Sequence, residues 1–477
     1  TPKITPVVPT AEPATSTDIQ GATQTGKPVF TEGDSRVPMD DTVPATFDDG
    51  STTKTVDGVG TYTVASDGTV TFKPLPTYVG TPEGVTVKRV DKNGTLATAT
   101  YTPTVTPVTP TATPAETSGV QGATQSGKPV FTEGDSRVPM NDAVPATFDD
   151  GSTSKTVDGI GTYTVASDGT VTFVPDPSFT GTAPAVTVVR EDKNGTKASA
   201  TYTPTVTPVT PTATPVETTD IQGATQTGKP VFTEGDSRVP MNDDVPATFE
   251  DGSTTKTIPG EGTYTVAPDG TVTFVPEKSF TGTGTGVTVK RVDKNGTEIT
   301  AKYTPTVTPV TPTAEPATST DIQGATQTGK PTFTEGDSRV PMDDDTPATF
   351  EDGSKTKTVD GVGTYTVAAD GTVTFKPLPT YVGTPEGVTV KRVDKNGTAV
   401  TAKYTPTVTP VVPSATPAVS EDVQGATQTG KPEFTAGNSR VPMNDAVPAT
   451  FDDGSKTKTV DGVGTYTVAR SEERRVG

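Results

Sequence analysis

The chain has 477 residues and a net charge of −20, and its hydrophobic fraction of 29% stays below the roughly 45–50% of globular domains even with its 48 glycines added. It contains no cysteine, histidine or tryptophan, which excludes disulfides, cysteine nucleophiles, histidine-based triads and zinc sites of the usual ligand types. The acidic balance argues against nucleic acid and anionic membranes as partners, because both reward clustered Lys and Arg, and no apolar run approaches a membrane span.

Residues 1–9, TPKITPVVP, match 405–413, TPTVTPVVP, so the chain is expected to begin in the tail of a preceding unit, with 1–15 as tail and linker. QGATQTGKPVF follows at 20–30. Gly21, four residues, then Gly26 and Lys27 open like a phosphate-binding loop, but that motif needs Ser or Thr after the lysine and a helix beyond it. Here Pro28 comes next, with neither hydroxyl nor N–H, followed by a β-like Val29-Phe30-Thr31. The stretch is read instead as the lead-in to a first strand, with Lys27 exposed and Pro28 placed where a missing ladder N–H does least harm. QGATQ recurs at Gln20, Gln121, Gln222, Gln323 and Gln424, a period of 101 residues without insertion, so the chain is a tandem array.

Candidate strands in the first unit are 27–31, 45–47 and 53–56, separated by the turn chemistry of EGDSRVPMDDTVP and FDDGS. GTYTVASDGTVTF, 60–72, reads as a hairpin. Pairing Tyr62 with Phe72 and Val64 with Val70 gathers the large side chains on one face, which requires a three-residue loop, Ser66-Asp67-Gly68, with Gly68 left-handed. A two-residue turn would scramble the faces. By the same logic 84–101 folds about Lys92-Asn93-Gly94, pairing Val87 with Ala99 and Val85 with Tyr101. The expected core is Phe30, Met39, Phe47, Val56, Tyr62, Val64, Val70, Phe72, Tyr78, Val85, Val87 and Tyr101. Six or seven short strands without helical periodicity predict an all-β fold: a tandem array of small immunoglobulin-like β-sandwich units of marginal individual stability, joined by Thr/Pro-rich extended linkers. The linker TPTVTPVTPTATPAETSG, 102–119, suits polyproline II, its first part continuing the last strand.

The units are placed at 16–109, 110–210, 211–311 and 312–412, each after the first including its leading linker, with a partial fifth at 413–469. Residues 470–477, RSEERRVG, break the pattern in mid-hairpin, resemble a translated sequencing adapter and are read as a non-native tail.

No catalytic, cofactor-binding or metal site emerges, and no cofactor is implied. Asp40-Asp41 and Asp48-Asp49 could build a calcium site, but no stretch has EF-hand spacing and acidic turns are usually solvated. Asn93-Gly94-Thr95 is formally a glycosylation sequon, but Asn-Gly before a strand is first a turn signal. A Lys–Asn isopeptide crosslink would need a lysine such as Lys27 facing an asparagine in an apolar core, whereas Asn93 is expected in a loop.

The period of about 100 residues, QGATQTGKPVFTEGDSRVPM, PATFDDGSTTKTVDGVGTYTVASDGTVTF, GVTVKRVDKNGT and the TPTVTPV tail together resemble the repeats of CshA-type fibrillar surface adhesins of oral streptococci. The resemblance covers residues 1–469. It implies an extracellular, sortase-anchored cell-wall protein whose repeats form a fibril presenting a distal adhesive region. The expected role is a non-catalytic stalk serving cell adhesion and biofilm formation, with neighbouring repeats as its immediate partners. Host matrix or co-aggregating cells would be engaged by regions outside this stretch, and no membrane insertion is expected of it. The alternative makes the repeats themselves weak multivalent adhesive modules for host matrix, glycans or other fibrils.

Overall fold

In a computed structural model, which describes residues 1–469, the alternation of apolar and threonine side chains resolves into paired strands, and the described residues contain no helix. The adapter-like tail, 470–477, lies outside the described residues. The first unit runs β1 (Thr10–Glu12), β2 (Ala14–Ile19), β3 (Gln24–Gly26), β4 (Val29–Thr31), β5 (Thr46–Phe47), β6 (Thr53–Val56), β7 (Gly60–Val64), β8 (Val70–Pro74), β9 (Val85–Val90) and β10 (Leu96–Thr106). One sheet has the order β2-β10-β9-β5 and the other β3-β8-β7-β6, while β1 and β4 form a separate pair. Three further units repeat this topology, the second and third adding a short strand, Gly181–Thr182 and Gly282–Thr283, against the last strand, and no sheet spans two units among the described residues.

Both hairpins have the register that facial alternation demands. Tyr62 pairs with Phe72 and Val64 with Val70; Val87 pairs with Ala99 and Val85 with Tyr101. Ala65 N donates to Thr69 O and Gly68 N to Ala65 O, both at 2.9 Å, so the loop is Ser66-Asp67-Gly68, and Gly68 takes the left-handed conformation at φ +88°. Asp67 accepts from the backbone N–H and hydroxyl of Thr69 and closes the turn.

The core lies between the two four-stranded sheets. Ala45, Phe47, Tyr62, Val64, Val70, Phe72, Val85, Val87, Tyr101 and Val105 are buried together, with Ala14, Phe30, Val56, Val59 and Tyr78 half-buried against them. Tyr62 stacks on Phe72 at 4.4 Å within one sheet and meets Tyr101 of the other edge-on at 6.5 Å. Met39 is buried but lies outside this cluster, its backbone bridged to Asp91.

The Thr/Pro-rich stretch departs from the expected spacer in extent. Residues 102–106 are the second half of β10; Thr111–Thr113 pairs with Val130–Thr132, and Ala115–Val120 pairs in parallel with 202–207. Most of it is therefore built into sheets, and residues 107–110 alone connect the strands of one unit to those of the next. In the first unit, β1 and the start of β2 likewise fall in residues read as tail and linker. Alternation of proline and threonine is compatible with a strand because ladder bonds also alternate. Val105 turns both its N–H and its C=O to Gly80, and Pro103, two residues earlier, shares that side. Its missing N–H is thus withheld from the side facing β2.

After residue 413, Ser414–Thr416 pairs with Glu433–Thr435 and Thr457–Val460 with Gly464–Thr467. Phe434 and Tyr466, whose counterparts pack in the complete units, are 57% and 53% exposed.

Candidate functional site at the junction between units

The residues that open like a phosphate loop are dispersed by the fold. Gly21 lies in a turn at φ +83°, and Gly26 pairs in β3 with no room for a side chain against Tyr101. Lys27 is exposed and bonds Asp67 at 2.9 Å. The acidic turns are spent on local partners: Asp40 meets Lys92 at 2.6 Å, Asp41 meets Arg89 at 2.5 Å, and Asp49 accepts from Ser51 N at 2.8 Å. The Lys92 ammonium and the Thr42 hydroxyl and N–H hold the Asp40 carboxyl down at about 2.

What the sequence does bring together is a contact between successive units, and its centre is Gln20. This side chain is 5% exposed in the turn after β2. Its Nε2 donates to Pro76 O at 2.8 Å within its own unit, and its Oε1 accepts from Val108 N at 3.2 Å in the connector. Gln20 thus clips the outgoing chain to the unit it leaves. Its main-chain carbonyl accepts from Asn194 Nδ2 of the second unit at 3.0 Å. Asn194 is presented by the Lys-Asn-Gly hairpin loop, which buried Asp192 braces by accepting the N–H groups of Asn194 and Thr196 at 2.9 and 2.8 Å.

The contact is close. Any Cβ on Gly21 would collide with the Asn194 side-chain oxygen, so glycine is required there by space as well as by its positive φ. Val108 and Val138 are buried, 4% and 5% exposed. Arg137 reaches back to Asp18 at 2.9 Å. The Asp18 carboxyl is held below the usual carboxylate range by the N–H of Ile19 and by the Arg137 guanidinium, against the opposing effect of burial.

The same parts recur. Asn295 donates to Gln121 O and Asn396 to Gln222 O, both at 2.9 Å, and Val209 N and Val310 N are held by the side chains of Gln121 and Gln222. Arg339 meets Asp220 at 2.8 Å, but the second junction has Gly119 where the others carry aspartate, and Arg238 stays on Asp236 of its own turn. At the fourth junction Arg440 meets Asp321 at 2.5 Å, and no described residue comes within 4 Å of a Cβ placed on Gly324. Asn93, with no complete unit before it, is exposed.

The sequence matches the family described as surface adhesin CshA repetitive domain over residues 6–105, 107–206, 208–307, 309–408 and 410–474. The chain belongs to that family. The first four matches each end beside a connector, so the junction joins successive CshA repeats. The family places the repeats in an adhesion-related, extracellular setting.

No curated protein sequence matches the chain. Among solved structures the array is similar to protocadherin gamma B2 extracellular cadherin domains 3–6, at 12% identity over 84% of this chain and 98% of that one, TM-score 0.29. It is also similar to Sidekick-1 immunoglobulin domains 1–5, at 12% identity over 84% and 79%, TM-score 0.25. Drosophila N-cadherin EC1-4 gives 12% identity over 84% and 99%, TM-score 0.20.

The sequence places asparagine in a loop and Gln20 in a lead-in but does not show that the two positions meet, because the bonds that define the site link residues 174 positions apart.

Proposed function

We propose that these CshA repeats form the non-catalytic stalk of a bacterial surface fibril, extending an adhesive tip away from the cell wall for cell adhesion and biofilm formation. The observation that carries this reading is the junction: Gln20, Gln121 and Gln222 each clip the connector to one repeat and receive the asparagine of the next. A freely jointed chain of sandwiches would collapse toward a coil, whereas directional contacts at every connector favour a persistent rod. The anionic surface discourages lateral collapse further. Wall attachment, and contact with host matrix or other cells, are assigned to regions outside these repeats.

Small-angle scattering on residues 1–469 tests the proposal. The expected result is a pair-distance distribution with a long tail whose maximum grows with the number of repeats. A radius of gyration near that of a single globule of this length, roughly 2.2·N^0.38 Å, would remove it.

A further inference from the structure

We infer that each repeat is a shear-loaded mechanical clamp, so that the array bears tension as well as setting distance. The inference concerns strength along the chain axis and is independent of whether the array is a persistent rod.

In the second repeat the first long strand, Ala115–Val120, lies parallel to the last, Lys197–Thr207, in the register Ala115↔Tyr202 through Val120↔Thr207. The chain enters the repeat at the Ala115 end of this pair and leaves it at the Thr207 end. Tension along the array therefore pulls two parallel neighbours in opposite directions. Their ladder bonds lie across the direction of pull and are loaded together, whereas an antiparallel terminal pair would be peeled open one bond at a time.

Side chains reinforce this pair. Thr117 donates from its hydroxyl to Gln125 Oε1 at 2.6 Å and shares a hydrogen bond with the Tyr202 hydroxyl at 2.7 Å. Gln125 Nε2 donates to Thr205 O at 2.9 Å. Gln125 belongs to the opposite sheet, so the network ties the entry strand, the exit strand and the second sheet at one point. At the exit, Gln121 N donates to Thr207 O at 2.7 Å and the Thr207 hydroxyl to Gly119 O at 3.1 Å. The parallel register and the hydroxyl–Gln–Tyr lock are present in all four complete repeats, whether the hydroxyl is Ser16, Thr117, Thr218 or Ser319.

The absence of native cysteine allows handles to be placed at will. In single-molecule force spectroscopy the full chain is pulled first through its two ends, then through thiol handles at T113C and K197C. These two exposed positions flank the same end of the clamp and peel it open. Forced unfolding follows the barrier rather than equilibrium stability, and end pulling is expected to require at least about twice the peeling force at equal loading rate. Each end-pulled event should release roughly 30 nm as the chain between Ala115 and Thr207, or its equivalent, extends at about 3.3–3.6 Å per residue. The pair T214C and E298C repeats the comparison in the third repeat. Equal forces in the two directions, or end-pulled repeats that open in several short low-force steps, would overturn the clamp.

Discussion

At the position held by Val59, Ile160 and Val362 in the other complete repeats, the third carries Glu261, only 6% exposed. Its carboxylate accepts from the Tyr264 hydroxyl, from Thr285 N at 2.9 Å and from the Thr285 hydroxyl at 2.8 Å. Burial pushes its pKa up, but these bonds prevail and the pKa lies below its ordinary value. The unfolded chain therefore takes up the proton first. The stabilisation is complete above the unfolded pKa of about 4.3 and is lost as pH falls through the lower folded value. Glu261→Val removes this acid-sensitive limb. It leaves the Tyr264 hydroxyl with only the Gly286 N–H, at 3.4 Å, whereas the Tyr62 and Tyr365 hydroxyls have no partner. Valine fills this position in the first and fourth repeats, so the apolar side chain fits the site, and it removes the desolvation cost of a buried charge. Hydrogen exchange in Gly262–Val266 should show E261V at least as protected as the parent at pH 7, with its advantage growing below about pH 4. A pH-independent difference would contradict this. Gly21 and Gly324 provide a second test, since both have positive φ but only Gly21 abuts an asparagine. Gly324→Ala should cost about 1–2 kcal/mol from backbone strain alone, while Gly21→Ala should cost about 1 kcal/mol more through the lost Asn194 bond. In N194A that excess should vanish, because both substitutions break one contact.

Loops and strands were legible where their determinants are local. In Ser66-Asp67-Gly68 the Ser66 carbonyl accepts from Ala45 N at 3.1 Å, and Pro268 of the third repeat keeps the equivalent bond to Ala247 N at 3.0 Å. Proline thus fits this turn with the carbonyl bond intact. Ser66→Pro and Ser167→Pro should each stabilise their repeat by about 0.4–1 kcal/mol by restricting the unfolded chain, read as a higher denaturation midpoint at unchanged m-value. The two hairpins could be derived to the residue because period-two patterning and turn chemistry both act within a dozen positions. β2 and its pairing with β10 could not. The partners are 87 residues apart, as in Ala14 and Tyr101, and the Thr/Pro composition of both segments favours an isolated polyproline helix. Tertiary pairing overrides that preference because Pro103 has its absent N–H on the side away from β2. Ala45 and Val105 joined the core for the same non-local reason. The junction was hidden further still, since the asparagine that reaches Gln20 is Asn194, 174 residues on, while its first-repeat counterpart Asn93 is exposed.

Across the whole molecule the junctions are not equivalent, and the difference predicts where the array bends. The first and third carry an Arg–Asp bridge between repeats, whereas Gly119 leaves Arg238 on Asp236 of its own turn at the second. The asparagine bond and the buried valines remain there, so the second junction keeps its register while losing one orienting contact. An exposed bridge is worth about 0.2–1 kcal/mol, enough to change the angular spread of a connector without dissociating the repeats. Distance distributions between spin labels on adjacent repeats should therefore be broadest across the second junction. Gly119→Asp supplies the missing carboxylate, although the Gln125 side chain must shift slightly to admit its Cβ. The substituted junction should narrow to the width of the first and third. Salt sets the second half of the test, because at about 1 M the Debye length falls to roughly 3 Å and exposed bridges are screened. Under that condition all three widths should converge on that of the native second junction. Widths that stay unequal in high salt would place the stiffness in the asparagine and valine contacts instead.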